Sequence, residues 1–264
     1  MSDKPSTPMT RKPPGVSRSF TLEVWGDFAC FSRPELKVER FSYPVITPSA
    51  ARGIFDSIYA KPIEFRWQVE RVEICTPPAY IALRRNEVKD VVNVNAVYRW
   101  MRGEEPPRPI YADADREFSG SDEKGRTQRQ TMALKNVRYR LTASIWPWPG
   151  FTAKTRQLED QFLRRASRGK CFCQPCFGCR EFPAFFRTVE ENEHVAPPQP
   201  WSADLGMMLY DVFDLSRPGT AESKAAVSLF HATVLNGVLE VPPYSSDLVL
   251  KAATGVGGVD GGAA

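Results

Sequence analysis

Four of the chain's six cysteines, Cys171, Cys173, Cys176 and Cys179, stand within nine residues, directly after Lys170 and the basic run Arg164, Arg165 and Arg168. Thiols at this density admit two chemistries. The spacing C-x-C-x₂-C-x₂-C suits zinc or an iron–sulfur cluster, whereas a thiol beside lysine and arginine loses its proton more readily and can act as a nucleophile or proton carrier. Four ligands with no second, separated pair would have to wrap tightly around Pro175 and Phe177. The metal reading is therefore the weaker, and no metal or other cofactor is expected. The other reading is a reactive loop that faces RNA.

The charge pattern favours a polyanionic partner. The net charge of the 264 residues is only +4, but residues 126–140 hold Arg126, Arg129, Lys135, Arg138 and Arg140 with no acid. Residues 154–180 carry seven basic side chains, Arg180 included, against Glu159 and Asp160, while 181–214 carry seven acids against Arg187. One surface should be positive and another negative, and basic groups near aromatics are the footprint of a phosphate backbone with unpaired bases. Arg84 and Arg85 add to the basic set. No stretch approaches the roughly 18 apolar residues of a membrane span, and the start lacks the apolar core of a signal peptide. A cytoplasmic protein with no membrane partner is the expectation, and in that compartment clustered cysteines stay reduced.

These residues need elements to hold them. Residues 19–28 alternate apolar and polar side chains as a strand, with Gly26 and Asp27 marking a bend or bulge near its end. Thr47 before Pro48 reads as an N-cap and first helical residue, Ala51, Ile54, Phe55 and Ile58 form that helix's apolar stripe, and Lys61 and Pro62 end it with Tyr59 at its C-terminal end. Residues 65–75 are a second strand, 80–100 a hairpin or extended arm, and 103–125 a loop. Residues 129–145 return as a basic strand. A second helix over 152–167 carries Leu158, Phe162 and Ala166 on one face and stops at Gly169.

Strand and helix units alternating around antiparallel strands predict an α+β sandwich of the split βαβ type. Residues 1–18 and 252–264 are expected to be disordered, 19–185 to form the main domain, and 186–251 a smaller, β-rich C-terminal domain.

The strings Leu22-Glu23-Val24-Trp25-Gly26-Asp27-Phe28, Thr47-Pro48-Ser49-Ala50-Ala51-Arg52-Gly53-Ile54, Ser57-Ile58-Tyr59, Arg84-Arg85-Asn86-Glu87-Val88, Gly178-Cys179-Arg180-Glu181-Phe182 and Asp204-Leu205-Gly206-Met207-Met208-Leu209-Tyr210-Asp211 together resemble one family. It is the CRISPR-associated Cas-five family in its subtype I-C ("d" type) form, within the RAMP superfamily. The resemblance implies a ferredoxin-like (RRM-like, RAMP) N-terminal domain with a smaller antiparallel β C-terminal domain. It also implies a metal-independent endoribonuclease that cuts CRISPR precursor RNA at the 3′ base of the repeat hairpin. Such a protein keeps the 5′ handle of the crRNA and joins the other subunits of a type I-C Cascade antiviral complex.

Cleavage of this kind needs a base for the ribose 2′-OH, an acid for the leaving 5′-oxygen and a cation for the charge on phosphorus. In relatives a tyrosine on the first helix and a lysine–histidine pair after the second helix serve these needs. Tyr59 matches the tyrosine and Lys170 the lysine. Cys171 follows the lysine where one pattern has histidine, and Cys173 stands where many subtype I-C sequences have it. The only histidines, His194 and His231, lie in no matching motif. Taken alone, Tyr59 is a packing residue at a helix end and Lys170 a solvated lysine; the resemblance gives them roles. Two functions remain in view. One is the endoribonuclease, with activity weakened by the missing histidine. The other is a non-catalytic subunit that binds the RNA handle, with affinity for double-stranded DNA through the same positive surface.

Overall fold

The computed structural model describes residues 12–36, 38–111, 113, 125–190, 192–220 and 223–251. Its centre is the strand pair β1 (Ser19–Ala29) and β5 (Arg126–Pro147), antiparallel in unbroken register from Ser19 opposite Ser144 to Ala29 opposite Leu134. β3 (Phe65–Ile74) lies on the other side of β5, and β6 (Phe185–Val189) on the other side of β1, both antiparallel. The spatial order is thus β3-β5-β1-β6. The inward side chains Leu22, Val24, Leu141 and Ala143 have no solvent exposure, as alternation in a half-buried sheet requires.

Two helices cover this sheet. α1 (Pro48–Ile58) connects β1 to β3, and its Thr47 hydroxyl accepts from the amide of Ala50 as the sequence predicts. α3 (Thr155–Ala166), preceded by a 3₁₀ turn at Thr152–Lys154, connects β5 to β6. Phe55 of α1 and Phe162 of α3 both meet Trp67 of β3, at ring separations of 4.9 and 4.7 Å, and Phe20 of β1 lies 5.0 Å from Phe162. Each such aromatic contact contributes about 0.5–1.5 kcal/mol beyond area burial. Together they fix the two helices against one patch of the sheet.

The C-terminal strands β7 (Ala203–Asp211), β8 (Ser228–Leu235), β9 (Val238–Glu240) and β10 (Val249–Lys251) extend the same sheet, because β9 pairs with β3 from Arg71 opposite Glu240 to Glu73 opposite Val238. Arg52 of α1 clamps β7 from the other side. Its Nε and Nη2 donate to both oxygens of Asp211, at 2.7 and 3.1 Å, and its Nη1 to Asp56. The short β2 (Arg40–Phe41) adds to β5 in parallel.

Several expectations need correction. Residues 12–18, read as part of an unstructured start, are docked: the Ser17 amide donates to Ile145 C=O at 3.0 Å, the Ile145 amide to Ser17 Oγ at 2.7 Å, and the Arg18 amide to Glu159 at 3.0 Å. Residues 1–11 and 252–264 lie outside the described residues. No bend interrupts β1 at Gly26 and Asp27, since the register with β5 continues past them. The glycine instead makes room for Pro183 C=O, which would lie 2.7 Å from a Cβ there. The arm is the strand β4 (Tyr80–Val88) paired with the first half of β5, but it continues into a helix, α2 (Val94–Met101), capped by Asn93. The first helix ends at Ile58, with Tyr59 as its extended C-cap, before Lys61 and Pro62.

Candidate active site

The end of α3 forms a Schellman turn. Gly169, at φ +63°, donates its amide to Ala166 C=O at 3.1 Å, and Lys170 donates to Arg165 C=O at 2.9 Å. Glycine adopts this left-handed conformation without the Cβ penalty, so the chain reverses sharply and Lys170 follows immediately.

The reversed chain then docks on α1. The Phe172 amide donates to Ser57 C=O at 2.7 Å, and Arg165 Nε donates to Ile58 C=O at 2.6 Å. The Arg165 guanidinium also lies 4.1 Å from the Phe172 ring centroid. Carbonyls in a helix's last turn lack intrahelical donors and carry partial negative charge, so an amide and a cation satisfy them from the neighbouring segment. Tyr59 C=O accepts from Trp67 Nε1 at 2.8 Å. The C-terminal ends of two helices far apart in the chain are thereby joined, so that the segment with Lys170, Cys171 and Phe172 docks on the helix end that precedes Tyr59.

Tyr59 is only 4% exposed and packs 5.4 Å from the Phe65 ring. Burial pushes its phenol above the ordinary tyrosine pKa, partly opposed by the Lys61 ammonium, which hydrogen-bonds it, and by Arg165. Such a phenol holds its proton at neutral pH. Lys61 also reaches Glu64 at 2.8 Å. Sequence reasoning missed Lys61 as a neighbour of Tyr59, although their separation of two residues, in extended backbone after a helix, could have suggested it. Lys170 is exposed and has no ion pair among the described residues.

The cysteines do not converge. Cys171 is half-buried against the core, Cys173 is exposed, and Cys176 is half-buried in a bridge with Pro183. Cys179 is buried beside Cys30, donating to its carbonyl at 3.8 Å, while Arg40 Nη1 donates to the Cys179 sulfur at 3.3 Å. A hydrogen bond from the Cys30 thiol, with Arg40 alongside, moves the Cys179 pKa below the ordinary thiol value. Among the described residues no group of three or more His, Cys, Asp or Glu side chains is arranged to hold a metal ion.

The basic residues singled out from the sequence fall into two sets. Arg84 and Arg126 share the exposed face of the β4–β5 hairpin, and Lys135, Arg164, Arg168 and Arg180 are also exposed. Arg164 reaches Gln161. Arg85 and Arg129 share the opposite face of the hairpin and are neutralised, Arg85 by Glu87 at 3.0 Å and by Glu181, Arg129 by Glu87 at 3.2 Å. Arg138 pairs with the buried Glu23 at 2.8 Å. Arg140 is 4% exposed and held by Glu73 at 2.5 Å and by Ala196 C=O at 2.6 Å, so that where it lines a groove with Arg71 and Thr142 its charge is already neutralised. Of the exposed cations, Arg164 and Arg168 stand at the end of α3, a few residues before Lys170. His194 is exposed, and His231 is an exposed partner of Asp204 at 3.3 Å.

No helix among the described residues is long and apolar enough to cross a membrane. The family model described as CRISPR-associated protein (Cas_Cas5) matches residues 19–242. The chain is 37% identical over 242 residues to a protein of Mannheimia succiniciproducens named CRISPR pre-crRNA endoribonuclease Cas5d, covering 89% of this chain and 100% of the relative. It is 36% identical over 233 residues to a protein of the same name from Thermus thermophilus, covering 84% and 90%. Among solved structures, one described as a CRISPR-associated protein aligns with a TM-score of 0.57 at 19% identity, over 89% of this chain and 97% of that one. A functionally uncharacterized protein, SMU1763c from Streptococcus mutans, aligns with a TM-score of 0.55 at 18% identity over the same shares. These two similarities concern the fold.

Proposed function

The chain belongs to the Cas5d family of CRISPR-associated proteins, and from that membership we propose that it is the endoribonuclease that matures CRISPR precursor RNA. It cuts at the 3′ base of the repeat hairpin without a metal ion, keeps the 5′ handle and joins a type I-C Cascade complex. The N-terminal unit is a ferredoxin-like RNA-processing domain. The order β3-β5-β1-β6, with α1 and α3 as the two crossovers, supports that reading.

The observation that carries the catalytic proposal is the bond from the Phe172 amide to Ser57 C=O at 2.7 Å, which joins the Lys170 loop to the helix end bearing Tyr59. In the proposed reaction the ribose 2′-oxygen attacks phosphorus and the 5′-oxygen leaves. Lys170 stabilises the negative charge gathering on the phosphoryl oxygens. Tyr59, protonated at neutral pH, supplies the proton to the leaving oxygen. Cys171, or alternatively Cys173, stands in for the family's histidine and accepts the 2′-OH proton. Arg164, Arg168 and Arg180, with Arg84 and Arg126 on the hairpin, hold the RNA backbone.

The second reading, a handle-binding subunit without catalysis, draws support from the 4% exposure of Tyr59 and from the cysteine that replaces histidine at position 171. Incubation with labelled repeat RNA in EDTA separates the two. A single cut at the hairpin base, lost in Tyr59→Phe and Lys170→Ala, supports the enzyme; tight binding with no cut supports the binding subunit.

A further inference from the structure

Beyond Tyr59 the chain passes Ala60 and Pro62 and forms one wall of a groove of about 630 Å³, closed on the other side by residues that follow β7. The volume is in the range of sites that hold a small organic group. Its surface is unusual for a solvent cleft. Trp148, half-buried and tied to Pro62 C=O through Nε1 at 2.8 Å, offers an aromatic surface, and Phe213 is 47% exposed and Ile63 66% exposed.

The polar lining is equally specific. Arg66 is half-buried with its guanidinium 4.7 Å from the Trp146 ring centroid, and Nη1 donates to Gln68 at 2.7 Å. Among the described residues no carboxylate lies within ion-pair distance of it, and burial lowers its pKa to about 10. Asp56 lines the groove with one oxygen engaged by Arg52, and the exposed Arg217, paired with Asp214 at 3.0 Å, and Lys224 also line it. A half-buried cation outside every ion pair among the described residues, aromatic walls and the exposed Lys224 fit a flat ligand with acceptor atoms inside and negative charge outside.

Resting on the reading of this chain as an RNA-processing protein, we propose that the groove is a base-reading subsite for an unpaired guanine nucleotide next to the scissile position. The base packs against Phe213 and Trp148, its O6 and N7 accept from Arg66, its N1–H and N2–H donate to Asp56, and its phosphate meets Arg217 and Lys224. Arginine forks on the O6/N7 edge are the commonest specific contact to guanine, and aromatic packing of a base contributes about 1–3 kcal/mol. Adenine presents a donor where guanine presents O6, and so sets a donor against Arg66.

Calorimetric titration of the intact protein with 5′-GMP, 5′-AMP and inorganic phosphate tests this. Saturable binding of 5′-GMP, stronger than that of 5′-AMP and absent for phosphate, is the expected result. Phe213→Ala should weaken it roughly five- to a hundredfold, the equivalent of the stacking contribution, and Phe213→Tyr should retain it. Phe213 is an exposed side chain, so its removal leaves the fold intact, and a melting curve confirms this. Binding of phosphate alone, equal binding of both nucleotides, no saturable binding, or indifference to Phe213→Ala would overturn the proposal. Cleavage of repeat RNA is read separately: cutting without 5′-GMP binding sinks only the subsite, and 5′-GMP binding without cutting sinks only the nuclease.

Discussion

Arg165, in the last turn of α3, donates its Nε to the carbonyl of Ile58, the last residue of α1, at 2.6 Å. One charged hydrogen bond thus aligns the two helix ends that carry the candidate catalytic groups. Its contribution is about 1.5–3 kcal/mol when one partner is ionised. As a positioning residue, Arg165 should affect turnover more than binding. In Arg165→Met, kcat for repeat RNA should fall about tenfold or more with KM nearly unchanged, whereas a role confined to phosphate contact would raise KM instead. Steady-state cleavage kinetics distinguish the two.

Lys170 is exposed and outside every ion pair among the described residues, so its removal should leave the fold alone. Lys170→Ala is expected to melt within the shift of an ordinary surface substitution, about 0.5 kcal/mol, while the cleavage rate drops roughly 10²–10³-fold. Single-turnover rates beside a thermal melt check both halves. Cleavage at full rate would remove Lys170 from the mechanism.

Tyr59→Phe should lower the cleavage rate roughly 10²–10⁴-fold, the usual contribution of a general acid. Its stability effect carries a sign that pH reveals. Burial raises the folded-state phenol pKa above its unfolded value of about 10. The folded state therefore holds the proton more tightly, and this stabilisation is fully present below the unfolded pKa and lost as pH rises through the folded one. Melting curves from pH 8 to 11 should show wild type losing stability relative to Tyr59→Phe at the alkaline end. A constant difference across that range would show that Tyr59 titrates alike in both states.

Gly178 holds the cysteine-rich loop against β1. At φ +83°, a Cβ here would sit 2.1 Å from Cys30 C=O, while the Cys30 amide donates to Phe177 C=O at 3.0 Å. Gly178→Ala cannot be accommodated by a side-chain rotation, because the obstacle is backbone. The expected cost is about 1–3 kcal/mol or more, read as a lower melting temperature. The Cys179 thiol, otherwise buried beside Cys30, should also react faster with a maleimide probe. An unchanged labelling rate would mean that the loop keeps its place.

Much of the framework was legible from local chemistry. Thr47 and Pro48 announced the start of α1, Gly169 the end of α3, and alternation the strands β1, β3 and β5, because caps and periodicity depend on near neighbours. One family string includes Tyr59, and Lys170 matches the lysine that relatives carry after the second helix. α2 was hidden because a short segment with no buried residue leaves no core-facing stripe to read. The basic strand misled for a related reason: Arg138 and Arg140 look alike in sequence, and only their depth separates them.

By itself the sequence determined the family and the two helices that cover the sheet, since each rests on motifs or on interactions within one turn, and it nominated Tyr59 and Lys170 as catalytic candidates. Tertiary structure decided which charges remain available and what lies beside Tyr59. Glu73 of β3 neutralises Arg140 of β5, Asp211 holds Arg52 from 159 residues away, and Arg66 lines a groove outside every ion pair among the described residues. Charge pairing and burial depend on which segments the sheet order brings together, and that order is set by long-range strand pairing, which no local pattern encodes.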